Sequence, residues 1–207
     1  MIGCKIANKF SLRGSRASDR RQMLIMHDRE KLLQAINFFV RNTKKCGKTK
    51  LFKLLYFLDF EHFKATGRSV TGLTYNAWPM GPVPVSLYNE FEAPEPDMAR
   101  AFDLEWTPIR NNTERMLRVT PKLEFSDRHF TARELTLLED LAKEFKASDS
   151  DDMIEATHLE NKPWDKIYNK ENNKRASIPY ELAVRPDEVD DVMRVAKNRE
   201  ELLRRLR

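Results

Sequence analysis

The segment between Thr49 and Gly67 constrains the fold more than any other, because it carries two adjacent apolar stripes at helical spacing. The first stripe is made of leucines and the second of aromatic residues: Leu51, Leu54, Leu55 and Leu58, then Phe52, Tyr56, Phe60 and Phe63. This spacing predicts a helix, and two stripes need packing partners on two sides. The remaining face carries charge, at Lys50, Lys53, Glu61 and Lys64. We therefore predict a central helix with a single solvated edge, capped by Thr49 at its start and by Gly67 at its end.

A proline-rich turn follows this helix, with the sequence Trp78-Pro79-Met80-Gly81-Pro82-Val83-Pro84. Each proline fixes its own φ and restricts the residue before it, whereas Gly81 is free to adopt a positive φ. The segment predicts a rigid turn and a following helix that opens at Pro84. A rigid apolar surface binds a protein partner with little loss of entropy. We predict that Met80, at the tip of the turn, contacts such a partner, and that Trp78 mainly fixes the fold.

Two blocks of sequence carry motifs in a defined order. The first block consists of Thr49-Lys50-Leu51-Phe52-Lys53-Leu54-Leu55-Tyr56-Phe57, Thr66-Gly67-Arg68, Trp78, Gly81-Pro82-Val83 and Leu87-Tyr88. The second block consists of Thr157-His158 and Pro163-Trp164. In these blocks the chain resembles the Panacea or SocA-like antitoxin domain, a bacterial and phage module, over roughly Lys31 to Leu182.

The resemblance implies a protein that neutralises a cognate protein toxin by binding it, with no catalysis of its own. The N-terminus has no pattern of a secretory signal, which predicts a cytoplasmic protein, and no cofactor is predicted. In at least one branch of the family, the domain also delivers the toxin to a cytosolic unfoldase-protease. The candidate partner-binding residues come from the motifs, the turn and a predicted hairpin: Tyr56, Trp78, Met80, Pro82, Val83, Tyr88, Asn111, His158 and Trp164.

The rest of the chain predicts helices around a small antiparallel sheet. A first helix is predicted from Asp28, with an apolar face at Leu32, Leu33, Ile36, Phe39 and Val40 that packs on the central helix. Extended runs are predicted over 70–78, 104–109 and 116–120, the last two forming a β-hairpin around Asn111 and Asn112. Thr131 and Glu134 have capping-box spacing, a short helix ends near His158, and a last helix begins at Pro186. The predicted fold class is α+β, predominantly helical, as a single compact helical domain with a small antiparallel hairpin.

The predicted organisation has three parts: a basic disordered extension over 1–26, the domain over 27–185 and an amphipathic helix over 186–207. Residues 1–22 carry six Lys and Arg side chains against Asp19 alone, which accounts for the whole formal net charge of +5. Phosphate binding needs clustered cations, so a nucleic-acid-binding regulator that uses this segment is the first alternative function. No apolar run approaches the roughly 20 residues that cross a bilayer, and the two cysteines, Cys4 and Cys46, fit free thiols in a reducing cytosol.

Motifs of catalysis and of metal binding are missing from the sequence. The four histidines, His27, His62, His129 and His158, share no metal-ligand spacing with each other or with a cysteine. His158 is most simply explained as a packing residue at a helix end. No nucleophile elbow, zinc-protease motif or glycine fingerprint occurs. A hydrolase with a dispersed site stays open as the second alternative, and it would require an apolar cleft with perturbed ionisable groups.

Overall fold

A computed structural model describes residues 13–109, 114–159 and 162–205 of the chain. In these ranges the fold is α+β and predominantly helical, with eight α-helices and two separate two-stranded antiparallel sheets. The first six elements are α1 (Arg13–Asn42), α2 (Lys48–Thr66), β1 (Asn76–Trp78), β2 (Gly81–Val83), α3 (Val85–Glu90) and α4 (Pro96–Ala101). The others are β3 (Phe102–Ile109), β4 (Glu114–Pro121), α5 (Ala132–Glu144), α6 (Ser150–His158), α7 (Pro163–Asp165) and α8 (Val189–Arg205). None of the helices in the described ranges is long and apolar enough to cross a membrane.

Helix α2 is the centre of the fold and contacts α1, α5, α6, α8, β2 and β4. Every residue of its leucine stripe and of its aromatic stripe is buried, which confirms the prediction of a helix packed on two sides. The predicted solvated edge was wrong where it included Lys50 and Lys53, since both side chains are fully buried. Surrounding elements therefore cover a third side of this helix.

The ends of α2 follow the prediction at one terminus only. Gly67 ends the helix in the left-handed conformation, with φ of 67°, and its N–H donates to Phe63 O, as predicted. At the other end the N-cap residue is Gly47, with no side-chain cap, so the predicted capping role of Thr49 was wrong. Near this end, the ammonium of buried Lys50 connects two neighbouring segments by hydrogen bonds, donating to Lys44 O at 2.9 Å and to Ser148 O at 2.7 Å.

Helix α1 packs against α2 as the predicted helical hairpin, and the apolar face from Leu32 to Phe39 is buried. Its predicted start at Asp28 was wrong, because the helix already begins at Arg13. It therefore includes residues 13–26, which the sequence assigned to the extension. Residues 1–12 lie outside the described ranges, and the division of the chain at 26 and 185 stays a prediction.

The loop after α2 is held by one buried carboxylate, that of Asp59. Its oxygens accept hydrogen bonds from Val70 N at 2.8 Å, Thr71 N at 2.7 Å, Thr71 Oγ1 at 2.5 Å and Tyr75 Oη at 2.7 Å. These bonds satisfy the backbone locally, so the predicted extended run over 70–78 forms a strand only at 76–78. Asp59 thereby sets the path of the chain from α2 into β1.

Strands β3 and β4 form the predicted hairpin, with Trp106 opposite Leu117 and Leu104 opposite Val119. Leu117 and Val119 are buried, and β4 contacts α1 and α2. The connecting turn, including Asn111, lies outside the described residues. The hairpin therefore contributes one face to the core, and Trp106, on the same face as Leu117, remains partly exposed.

The predicted capping box and the last helix also form. Thr131 and Glu134 make the capping box at the start of α5, and α8 begins at Val189, just after the predicted Pro186. Helix α8 crosses the end of α2 closely enough that a Cβ on Gly67 would lie 2.6 Å from Val192 O. Val195 and Leu202 on this helix remain exposed.

Candidate functional site

The proline-rich turn is a tight hairpin that the core supports from beneath. Trp78 pairs with Gly81 across the two-residue connection, so Met80 stands at the tip with 56% of its surface exposed. Lys53 Nζ donates to Pro82 O at 2.9 Å, and Trp164 Nε1 donates to Trp78 O at 2.9 Å. Both strands of the turn are thus anchored to side chains from distant elements.

Gly81 is required at this place for two reasons. Its φ of 97° lies in the region that L side chains rarely adopt. A Cβ at this position would also lie 2.7 Å from Lys53 Nζ and 2.8 Å from Thr157 Oγ1. The close approach of the turn to α2 and α6 therefore depends on the absence of a side chain at Gly81. The positive φ confirms the sequence prediction for this glycine.

Lys53 is a buried lysine without a carboxylate partner among the described residues. Its side chain is fully enclosed, and Pro82 O is the acceptor of its ammonium. Burial lowers the pKa of Lys53 to about 7, because a low-dielectric surrounding disfavours the charged form. The amine therefore titrates near neutral pH while it holds the turn.

His158 lies beside this anchor at the end of α6. Its ring stacks on Trp164 with centroids 3.7 Å apart, and Trp164 stacks in turn on Tyr168 at 4.5 Å. Its Nε2 atom is buried and has no hydrogen-bond partner in the part of the chain that the structure describes. Burial and the nearby charge of Lys53 both lower the pKa of His158, so the neutral ring is favoured.

A row of aromatic and cationic side chains runs from the turn to the β3–β4 hairpin. In order, this aromatic row consists of Arg175, Trp78, Tyr88, Lys48 and Trp106. The Arg175 guanidinium lies 5.5 Å from the Trp78 ring, and the Trp78 and Tyr88 rings are 5.2 Å apart. Lys48 Nζ lies 4.1 Å from the Tyr88 ring and 4.8 Å from the Trp106 ring. Cations over aromatic faces attract the ring quadrupoles, so neighbouring members of the row orient one another.

Comparison with known proteins gives one family. The model of the SocA-like antitoxin, Panacea domain, matches residues 51–165 of this chain. The chain belongs to the SocA-like Panacea antitoxin family. The match includes both sequence blocks except for Thr49 and Lys50, and no curated protein and no solved structure matches the chain. Membership supports a role in a toxin–antitoxin system in general, and it suggests that this role does not involve catalysis.

The Panacea domain brings its two sequence blocks together beneath the turn. Lys53 and Gly81 come from the first block, and Thr157, His158 and Trp164 come from the second; all five lie around the anchor described above. The order of the blocks in the sequence thus corresponds to one packed cluster in space. Among the described residues, no group of three or more His, Cys, Asp or Glu is placed to hold a metal ion.

The candidate partner-binding residues of the Panacea domain divide by exposure. Met80 is exposed, and Trp78, Tyr88 and His158 are half-buried. Four others are buried and support the surface from within: Tyr56, Pro82, Val83 and Trp164. Asn111 lies outside the described residues. As contacts with a partner, all of these residues remain predictions.

Tyr56 has a distinct position among the buried candidates. Its ring packs against Phe60 and Tyr75, with centroids 4.2 Å and 5.5 Å away. It also lines a cavity of about 320 Å³ beside Thr157 and Pro163. Its hydroxyl makes no hydrogen bond with the described residues, so Tyr56 serves the fold mainly through its ring.

Sequence reasoning missed the role of Lys53 and the members Lys48, Trp106 and Arg175 of the aromatic row. A signal for Lys53 was present, because Tyr56, Phe57 and Phe60 follow it at helical spacing and share its face. Trp106 and Arg175 had no comparable signal. Arg175 reaches Trp78 through a backbone bond from its N–H to Ala77 O at 2.7 Å, which pairs residues far apart in the chain.

The titration of Lys53 leads to a prediction about stability. The pKa of this amine is about 7 in the folded chain, against about 10.4 in an unfolded one. Between these values the unfolded state binds more protons, so the free energy of unfolding rises with pH by up to about 1.4 kcal/mol per pH unit. We expect urea unfolding between about pH 7 and 9 to show this rise in the wild type.

Lys53→Met is the control for this titration, because it keeps an unbranched side chain and removes the amine. The rise contributed by Lys53 should be absent from its pH profile. Parallel profiles for the two proteins would contradict a neutral amine in the folded state.

Proposed function

We propose that this protein neutralises a cognate protein toxin by binding it directly in the cytoplasm, without a catalytic step. The observation that carries the proposal is the family match over residues 51–165, which includes the turn and its anchors. The toxin contacts the surface formed by the turn, with Met80 at its tip, and by the aromatic row. As in one branch of the family, the bound toxin is then presented to a cytosolic unfoldase-protease.

The physical properties of the turn support its role as the contact surface. An exposed side chain on a backbone that is already ordered loses little conformational entropy when it binds. Aromatic residues and arginine are the residue types that most often dominate binding energy at interfaces. Met80 and Trp106 are both exposed, at 56% and 40%; Met80 is at the tip of the turn, and Trp106 is the last member of the aromatic row.

The alternatives have less support. The strongly perturbed amine near the turn belongs to Lys53, which is 1% exposed and therefore unable to reach a substrate. A hydrolase would need such a group in an open cleft. One cleft does contain His27, Asp28 and His62, and burial shifts the pKa of each, but its carboxylates are paired with Lys31 and Arg199. The nucleic-acid alternative depends on residues 1–22, whose side chains lie outside the described part of the chain.

The test of the proposal is rescue of growth. The product of the gene beside this one should be toxic when expressed alone, and co-expression of this protein should restore growth and yield a complex of fixed stoichiometry. Delivery to a protease would appear as a shorter half-life of the toxin in the complex. A harmless neighbouring product, or toxicity that this protein does not reduce, would contradict the proposal.

Variants of the exposed apolar residues locate the interface. We expect Met80→Ala and Trp106→Ala each to weaken toxin binding at least about tenfold, which corresponds to about 1.4 kcal/mol. The matched control is Leu123→Ala, because the Leu123 side chain is 52% exposed and lies outside both the turn and the aromatic row. Isothermal titration with purified toxin measures all three. Equal effects of the three substitutions would argue against this surface.

A further inference from the structure

A second cavity, of about 870 Å³, lies apart from the turn and shares no lining residue with it or with the aromatic row. Its walls come from α1, the end of α2, the loop that follows α2, the start of α5 and α8. The size lies within the range of small-molecule sites, about 300–1,000 Å³. We refer to it as the α8 pocket.

The acidic groups in the wall of the α8 pocket are already paired with cations. Glu134 accepts a hydrogen bond from Lys31 Nζ at 2.6 Å, and both side chains are buried. Asp28 lies 3.6 Å from Arg199. Each pair is neutral overall, so these four residues add no net charge to the pocket.

Two arginines in the same wall have guanidinium groups without a partner among the described residues. Neither Arg68 nor Arg133 has a guanidinium hydrogen bond or an ion pair with any of the described residues. Arg68 is positioned through its backbone, since its carbonyl lies 2.7 Å from His62 Nδ1. Arg133 lies in the first turn of α5, next to Glu134. The pocket therefore carries two free positive charges beside neutral ion pairs.

The α8 pocket also has apolar groups in its wall. Val195 and Leu202 of α8 line it, and they are 37% and 56% exposed. Exposed aliphatic side chains beside free guanidinium groups match a ligand that has an anionic end and an apolar or planar body. Guanidinium groups bind phosphate through paired N–H donors, and a phosphate dianion balances two arginines where a single carboxylate balances one.

From these observations we propose that the α8 pocket binds a small organic phosphate. Arg68 and Arg133 hold the phosphate group, and Val195 and Leu202 contact the body of the ligand. The site is separate from toxin binding, because it uses none of the residues assigned to the toxin surface.

The probe is AMP, which combines a phosphate dianion with a flat base, and the measurement is isothermal titration with the full chain. We expect AMP to bind, inorganic phosphate to bind more weakly and adenosine not to bind. The variant Arg68→Ala/Arg133→Ala should lower the affinity for AMP at least tenfold. Leu202→Ala should weaken binding of AMP and leave that of inorganic phosphate unchanged.

The control variant is Arg118→Ala, since Arg118 is exposed on β4 and lies outside the pocket. It should bind AMP like the wild type. The proposal is overturned if neither AMP nor inorganic phosphate binds, if the double variant retains full affinity, or if Arg118→Ala loses as much. Growth rescue by the double variant should match that of the wild type, so failure of this proposal is distinguishable from failure of the toxin-binding proposal.

Discussion

Asp59→Ala should destabilise the protein by at least about 4 kcal/mol, because four buried donors would lose their acceptor at once. Two of these donors are the backbone amides of Val70 and Thr71, and the other two are the hydroxyls of Thr71 and Tyr75. Each unsatisfied buried donor costs about 1–3 kcal/mol. The loss is comparable with the whole stability of a typical domain, about 5–15 kcal/mol. Urea unfolding should show a large drop in the midpoint, or no folded baseline.

Asp59→Asn is the matched control for this variant. Oδ1 accepts the two amide bonds and Oδ2 accepts the two hydroxyl bonds. An asparagine can keep the first pair and donate to the hydroxyl oxygens, since a hydroxyl both donates and accepts. Burial raises the pKa of Asp59 to about 6, so a neutral side chain also avoids the cost of an enclosed charge. We expect a much smaller loss with asparagine; equal losses would show that the charge, and not the hydrogen bonds, stabilises the loop.

Gly81→Ala should have the second largest effect, and it should affect both folding and toxin binding. The positive φ of 97° strains any L side chain, at a cost of about 1–3 kcal/mol. The new Cβ would also push Lys53 Nζ away from Pro82 O, which leaves a buried amine without its acceptor, at about 1–3 kcal/mol more. Valine, which is branched at Cβ, should cost more than alanine.

Gly72→Ala separates these two contributions. Gly72 also has a positive φ, of 72°, but the nearest atom to its added Cβ is Asp28 Oδ2 at 3.7 Å, an ordinary contact. It should therefore show the backbone cost alone and retain toxin binding. Thermal unfolding and growth rescue measure the two variants side by side, with Met80→Ala as a third protein that keeps the fold and loses affinity. Equal stability of Gly81→Ala and the wild type would show that the close approach to Lys53 is not needed.

The accuracy of the sequence predictions depended on whether the relevant interactions were local. The position of α2, the end of α2 at Gly67, the capping box at Thr131 and the β3–β4 hairpin were all confirmed. Each depends on spacing within one segment. The predicted helix starts at Asp28 and Thr49 were wrong. Asp28 does not cap α1 because the residues before it continue the helix from Arg13. Thr49 does not cap α2 because it already lies inside the helix, whose N-cap is Gly47.

The sequence alone determined the central helix, the rigid turn with Gly81 at a positive φ, and the family, because periodicity, proline geometry and motif order can all be read from the order of residues. The tertiary structure alone decided that Lys50 and Lys53 are interior, since their acceptors come from carbonyls in other segments. It also decided the aromatic row and the α8 pocket. A lysine has the same intrinsic properties at the surface and in the interior. The distant segments that pack around it decide whether water or backbone carbonyls accept its hydrogen bonds.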